Sequence, residues 1–354
     1  MSRVGRILTA LALVLVALPA LTAAGNGTSD AARAEHQRII DFWTPERVAQ
    51  AVPREVIFDV AQGRFRLATP THHRPDHSGG GPPGGGGDDG GGGDTAVTGA
   101  SWEGGGEIVD AEGKVLFALG STYYVCSATL VKDSRTNESV VLTAGHCVYD
   151  NETNQFATNW MFIPNYDGAP AALDTAGDFC DSTAHGCWTA KHLVVHSGFA
   201  NEPGFTANAI LHDFAFAVLG DGGKSGTALA EDLVAVDQDI QFSEVSRNTF
   251  VHAFGYPHAP PYDGSDLVYC AGNVNFDNRL FRATYKLSCG MTGGSSGGGW
   301  FASFDEATGV GTLTSVNSYK YSNDPGSMYG PKFNSDTQDA YNTANSTGSD
   351  AIVP

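Results

Sequence analysis

The sequence predicts an all-β domain, a sandwich or a barrel, lying behind a helical N-terminal segment. From residue 95 onward the apolar runs are short, often alternate with polar residues, and are bounded by Gly, Asn, Asp and Pro. Long helical periodicity is missing there, as are strand–helix alternation and any repeat of fixed period, which leaves the all-β class. The strand signals are Lys114–Leu119, Tyr123–Val131, Ser139–Leu142, Trp160–Ile163, Phe214–Leu219, Thr249–Phe254, Leu280–Leu287 and Thr312–Val316.

In chain order, residues 1–24 predict a secretory signal. Arg3 and Arg6 form a positive start, Ile7–Leu21 is nearly all apolar, and the small residues Thr22, Ala23 and Ala24 suit cleavage near Ala24. An uncleaved anchor is the alternative. The apolar run falls short of the ~20 residues a spanning helix needs, and Pro19 interrupts it. The expectation is an extracellular protein without a stable membrane anchor.

Residues 25–78 carry a helical stretch, Asp30–Val52, with Phe42 and Trp43 as aromatic anchors. Thr44-Pro45-Glu46 reads as a helix start, with Thr as cap and Pro in the first position. Residues 79–94, GGGPPGGGGDDGGGGD, read as a flexible, cleavable linker. Residues 25–94 are therefore taken as a pro-region and linker, against the alternative of a permanent appendage. His72, His73 and His77 fall in this zone and read as a solvated tract rather than a metal site. The polar tail from Asn323 to Pro354 suggests partial disorder.

The formal charge of -19 argues against nucleic acid as a partner, because phosphates attract Lys and Arg. Cys126, Cys147, Cys180, Cys187, Cys270 and Cys289 make an even set in an exported chain, which favours disulfides. No CxxC pair exists, so zinc is a poor reading.

The most informative segment is Cys289-Gly-Met-Thr-Gly-Gly-Ser-Ser-Gly-Gly-Gly-Trp300. It holds a Gly-x-Ser-Gly-Gly arrangement, Gly294 to Gly298. A nucleophilic serine needs amide donors for the oxygen that becomes negative on attack, and glycines let backbone amides face it with no Cβ in the way. The expected donors are the amides of Gly294 and Ser296. Ser295 is the competing nucleophile, but only Ser296 keeps the motif's register.

Serine needs a base, usually a histidine held by a carboxylate. His146 ends the apolar run of Val140-Val-Leu-Thr-Ala-Gly-His-Cys147, where small residues admit an imidazole to a tight cleft. Asp213 opens the apolar run His212-Asp-Phe-Ala-Phe-Ala-Val-Leu219, where an acid is costly to bury unless paired. His212 is adjacent and would point to the other side of a strand.

The strings Leu142–Cys147, His212–Leu219 and Gly294–Gly298 together resemble the motifs of the chymotrypsin family of serine peptidases. The order His, Asp, Ser is also that family's order; subtilases and α/β-hydrolases run differently. The resemblance spans roughly residues 100–320 and is closest to secreted bacterial members, including the glutamyl endopeptidase group. It implies two six-stranded antiparallel β-barrels, about 100–210 and about 211–330, with His146, Asp213 and Ser296 as a triad between them. It implies a Cys126–Cys147 disulfide, and proximity suggests Cys180–Cys187 and Cys270–Cys289. It also implies that Ser315, Val316 and Asn317 pair with substrate backbone as an added strand.

The implied activity is endopeptidase cleavage of protein or peptide substrates by a monomer, without metal or organic cofactor. A non-catalytic binding protein on the same fold and an esterase with the same triad are the alternatives. Three departures stand out. Gly299 replaces the family's proline. Ser295 stands where animal trypsins carry an acid, so their activation switch should be absent. Thr314 stands where the glutamyl group has histidine, and Gly290 and Met291 supply no acid. Those residues point to an apolar or small residue before the cleaved bond.

Overall fold

The computed structural model describes residues 26–69, 95–167, 180–233 and 238–354. The signal, the glycine-rich stretch and the three histidines at 72, 73 and 77 lie outside these residues.

The chain opens with helices α1 (Asn26–Phe42) and α2 (Pro45–Gln50). The helix start expected at Thr44-Pro45-Glu46 is where α2 begins, with the Thr44 hydroxyl capping the Arg47 amide, while the helical stretch expected to reach Val52 ends at Gln50. On α1 the side chains of His36, Ile39 and Ile40 are buried, as is Trp43 just after it, a helical spacing that lays one face on the body of the protein. The Trp43 indole donates to the Asn159 carbonyl at 2.8 Å, and Phe42, Trp43 and Tyr123 meet edge to face. Strands β1 (Val52–Pro53), β2 (Val56–Asp59), β3 (Arg64–Leu67) and β4 (Val97–Ser101) follow.

The first half of the body contains β5 (Glu112–Leu119), β6 (Thr122–Val131), β7 (Ser139–Thr143), the hairpin β8 (Tyr149–Asp150) and β9 (Gln155–Phe156), β10 (Thr158–Pro164), β11 (Trp188–His196) and β12 (Ala215–Leu219). Six of these close on themselves in the order β5, β6, β7, β12, β11, β10 and back to β5, every pair antiparallel. Closure removes free edges, and Leu130, Leu142, Phe162, Val194 and Phe216 on these strands are fully buried.

The second half contains β13 (Asp239–Ile240), β14 (Phe250–Gly255), β15 (Val268–Asn273), β16 (Asn275–Phe276), β17 (Thr284–Ser288), β18 (Gly299–Asp305), β19 (Val310–Val316), β20 (Tyr319–Tyr321), β21 (Asp324–Pro331) and β22 (Ala351–Val353). Its barrel strands fall into two hydrogen-bonded halves. One runs β13-β19-β18-β14-β15-β4 and the other β16-β17-β21-β20-β2-β3. Between them Val251, Tyr285, Leu287, Met291, Trp300 and Met328 form a separate buried cluster. The disulfide Cys270–Cys289 ties β15 to the chain leaving β17; Cys126–Cys147 and Cys180–Cys187 are the other two bridges. The fold is the chymotrypsin-like double barrel, mostly strand with few helices.

Two expectations change. The tail after Asn323 is ordered: β21 pairs with β17 and β20, a helix spans Ser335–Ala344, and β22 pairs with β11. The helix starts at an Asn334 capping box and buries only the small residues Thr337, Ala340 and Ala344, so its composition looks polar. The stretch Leu280–Leu287 begins later as a strand, because Phe281 and Arg282 take left-handed backbone conformations before β17.

The N-terminal segment also joins both halves. β1 pairs in parallel with β6 at Tyr124 and Val125, and β2 pairs in parallel with β20 at Tyr319–Tyr321. Residues 51–58 thus form a strap from one barrel to the other.

Candidate active site

The apolar strand β7 delivers the chain to a tight 3-10 turn, Gly145–Cys147, which points His146 inward. Gly145 is required there, since a Cβ would meet Asp213 Oδ1 at 3.1 Å and the Phe199 ring at 3.1 Å. Asp213 precedes β12, which pairs directly with β7, so barrel pairing brings the two residues together. One Asp213 oxygen accepts the His146 backbone amide at 2.8 Å, and the other meets His146 Nδ1 at 2.8 Å. The hydroxyl of Ser318 donates to that second oxygen at 2.5 Å. Asp213 and His146 are fully buried, so the carboxylate has its charge met by three hydrogen bonds rather than by water.

The Gly294–Gly298 loop is fastened by the first barrel. The Ser127 amide donates to the Ser296 carbonyl at 2.7 Å, and the Ser127 hydroxyl donates to the Gly294 carbonyl at 2.9 Å. Gly297 adopts φ +88°, and a Cβ there would meet Thr143 Oγ1 at 2.2 Å and Ser127 O at 2.4 Å. Ser295 is fully buried and its hydroxyl donates to the Thr292 carbonyl at 2.8 Å, inside its own loop. Ser296 faces the cleft. The amides of Gly294 and Ser296 donate to no backbone carbonyl among the described residues.

Ser296 Oγ donates to the Arg54 carbonyl of the strap at 3.5 Å, and His146 Nε2, although buried, has no protein partner. The strap is anchored here by Arg54. Its guanidinium is buried, donates to the carbonyls of His146 and Tyr149, and pairs with Asp150 at 3.2 Å. Burial lowers its pKa, an effect opposed chiefly by Asp150.

The side chains of Ser315, Val316 and Asn317 are engaged within the protein. Ser315 Oγ donates to the Pro331 carbonyl at 2.7 Å, and Val316 is fully buried. Asn317 braces the nucleophile loop: its Nδ2 donates to the carbonyls of Phe254 at 2.7 Å and Ser295 at 3.0 Å, and its Oδ1 accepts the Trp300 indole at 2.7 Å. The residues beside the cleft are the next ones, Ser318 and Lys320. Register shifts in the β18–β19 pairing defeat a simple alternating count here. The signal in the sequence is a lysine between two tyrosines, Tyr319-Lys320-Tyr321, in an otherwise buried run. Cys126, His146 and Cys147 lie close enough to suggest a metal cluster, but both sulfurs are spent in one disulfide.

No family model matches the chain, and no curated protein does. Among solved structures, the thermostable serine protease AL20 from an extremophilic microorganism is 36% identical over 68% of this chain and 99% of its own, with a TM-score of 0.56. The protease Anisep from Arthrobacter nicotinovorans is 34% identical over 68% of this chain and 97% of its own, with a TM-score of 0.56. With the double barrel and the arrangement around Asp213, this likeness shows that the chain belongs to the chymotrypsin-like family of serine peptidases.

Proposed function

We propose that the chain is a secreted serine endopeptidase, with Ser296 as nucleophile, His146 as base and Asp213 as its orienter, that folds with its own N-terminal strap across the cleft. The observation that carries this reading is the double hold of Asp213 on His146, through amide and ring, beside the serine of a glycine-rich loop.

In the reaction His146 Nε2 takes the Ser296 hydroxyl proton as Oγ bonds to the carbonyl carbon of the scissile bond. The carbonyl oxygen becomes negative and is met by the amides of Gly294 and Ser296. When the carbon–nitrogen bond breaks, the leaving amine takes the proton from His146 and an acyl ester remains on Ser296. Water then attacks that ester, gives a proton to His146, and the free acid leaves as Oγ recovers it. Asp213 keeps Nδ1 protonated and stabilises the imidazolium.

The strap supports latency. The Ser296 hydroxyl is turned to the Arg54 carbonyl oxygen, and the next carbonyl, Glu55, accepts the Ala68 amide at 2.8 Å. Neither carbonyl is presented as a scissile group. On this reading residues 1–24 are the leader, 25–78 the pro-region, 79–94 the cleavable linker and 95–354 the peptidase. The leader and the three disulfides support export.

A fluorophosphonate probe tests the assignment on the full-length chain, before and after cleavage in 79–94, beside Ser296→Ala and Ser295→Ala. Labelling that rises on cleavage and disappears only in Ser296→Ala is expected. No labelling in the cleaved form would leave a binding protein as the better account.

A further inference from the structure

We propose that Lys320 makes the pocket beside Ser296 acid-accepting, so that the enzyme cleaves after residues with a carboxylate side chain, and that Glu55 is the chain's own occupant of that pocket. The proposal rests on the peptidase reading above and names its substrate class.

The placement comes from β20. Ser318 reaches Asp213, and Lys320, two residues on, lies on the same side of the extended chain. The Lys320 side chain is buried, and its ammonium donates to the carbonyls of Cys289 at 3.2 Å and Pro325 at 2.7 Å. Cys289 begins the segment that leads to the nucleophile. Lys320 therefore walls a slot bounded on the other side by Gly290–Gly293.

The strap fills that slot with a glutamate. A Cβ built on Gly293 would lie 2.9 Å from the Glu55 Cβ and 3.1 Å from its Oε2. Burial raises the pKa of the Glu55 carboxyl, and the charge of Lys320 opposes that rise. Conversely, burial lowers Lys320 to about 8, while Glu55 and Asp324 act to keep it charged.

Charge accounting then selects the substrate. An ammonium has three donors, and two of Lys320's are spent on carbonyls. Asp324 is already engaged by Lys286 at 2.8 Å, Tyr329 at 2.8 Å and Ser327 at 3.0 Å. When the strap leaves, Lys320 loses the nearby negative charge of Glu55, while its bonds to two carbonyls supply no counter-charge. A glutamate or aspartate side chain restores that charge. An apolar side chain leaves it unmet, and a basic one is repelled. The sequence reading of an apolar or small residue weighed only Gly290, Met291 and Thr314, and Lys320 reaches the slot from a different strand.

The test uses the full-length chain cleaved within 79–94 and four peptide p-nitroanilides differing only in the residue before the cleaved bond: Glu, Gln, Leu or Lys. The Glu substrate is expected to exceed its isostere Gln in kcat/KM by at least about tenfold, with Lys poorest. In Lys320→Met the Glu-to-Gln ratio should fall to near one. The ratio is internal to each preparation, so partial misfolding of the variant does not alter it. If the variant has no activity, the unaltered enzyme's ratio decides. An enzyme that labels with fluorophosphonate and cleaves peptides, yet prefers Gln or Leu to Glu, overturns the proposal and leaves the peptidase reading standing. So does a Glu preference that survives in Lys320→Met. Absence of both labelling and cleavage overturns the peptidase reading and this proposal with it.

Discussion

The Ser296 hydroxyl donates to the carbonyl oxygen of Arg54, a residue 242 positions earlier in the chain, at 3.5 Å. His146 Nε2 has no protein partner in the same structure. A hydroxyl bonded to a carbonyl oxygen is not aimed at the carbonyl carbon, so the strap occupies the cleft without being poised for attack.

Loosening the strap should therefore unmask the nucleophile. Arg54 fixes it through the carbonyls of His146 and Tyr149 and through Asp150. In the uncleaved chain, Arg54→Ala should raise the fluorophosphonate labelling rate by about tenfold or more, because a buried cation's partners are lost together. Labelling kinetics of the two uncleaved proteins check this. Equal rates would remove the strap as the cause of latency.

The carboxylate that holds His146 should be indispensable to rate and not to substrate binding. Asp213→Asn keeps the shape but favours the wrong imidazole tautomer, and kcat should fall by about three to four orders of magnitude with KM little changed. Ser318→Ala removes one of the three hydrogen bonds on Asp213 and should cost about tenfold. Steady-state kinetics on one peptide separate the two. A Ser318→Ala loss equal to that of Asp213→Asn would mean that Ser318 does more than orient the carboxylate.

Much of this site is legible in the sequence because its parts are local. Leu142 to Cys147 runs from strand to turn without interruption, and Gly294–Gly298 carries its own turn chemistry in its glycines. Asp213 shows through as an acid opening an apolar strand. What is not legible depends on long-range pairing. The strap has five strand residues that pair with strands far along the chain, and no local pattern names those partners. Ser318 and Asn317 are neighbours with different partners, Asp213 for one and the glycine-rich loop for the other, and both lie past the end of β19, where strand alternation assigns neither. The Ser335–Ala344 helix looked like tail because its buried face is made of Ala and Thr.

A second buried acid should control stability with pH. Glu112 in β5 is fully buried, accepts the Thr129 hydroxyl at 2.6 Å, and lies against Gly298 of the nucleophile loop. Desolvation pushes it up to about 8. As pH rises past the ordinary value of a glutamate, the unfolded chain gives up this proton first, so folding takes up a proton. Stability should be fullest below that value and decline by at most about 1.4 kcal/mol per pH unit until about pH 8. Glu112→Gln removes the titration. Thermal melts from pH 5 to 8 should show the variant declining less than the parent, and parallel curves would contradict the assignment.

The acid-accepting pocket carries its own pH signature, separable from the triad's. Lys320 attracts a substrate carboxylate only while it is charged, and burial lowers it to about 8 against the pull of Glu55 and Asp324. Tyr329 and Lys286 face it only through Asp324, which both engage. The ratio of kcat/KM for the Glu and Gln substrates cancels any pH dependence of the chemical steps common to both. That ratio should fall as pH rises and Lys320, whose proton burial makes easier to lose, becomes neutral. It should fall again in acid, where the substrate glutamate is protonated. Lys320→Arg provides the decisive comparison, since a guanidinium stays charged throughout this range. Its ratio should stay level above pH 8 where the parent's declines. A parent ratio that is flat from pH 6 to 10 would mean that another group sets the preference.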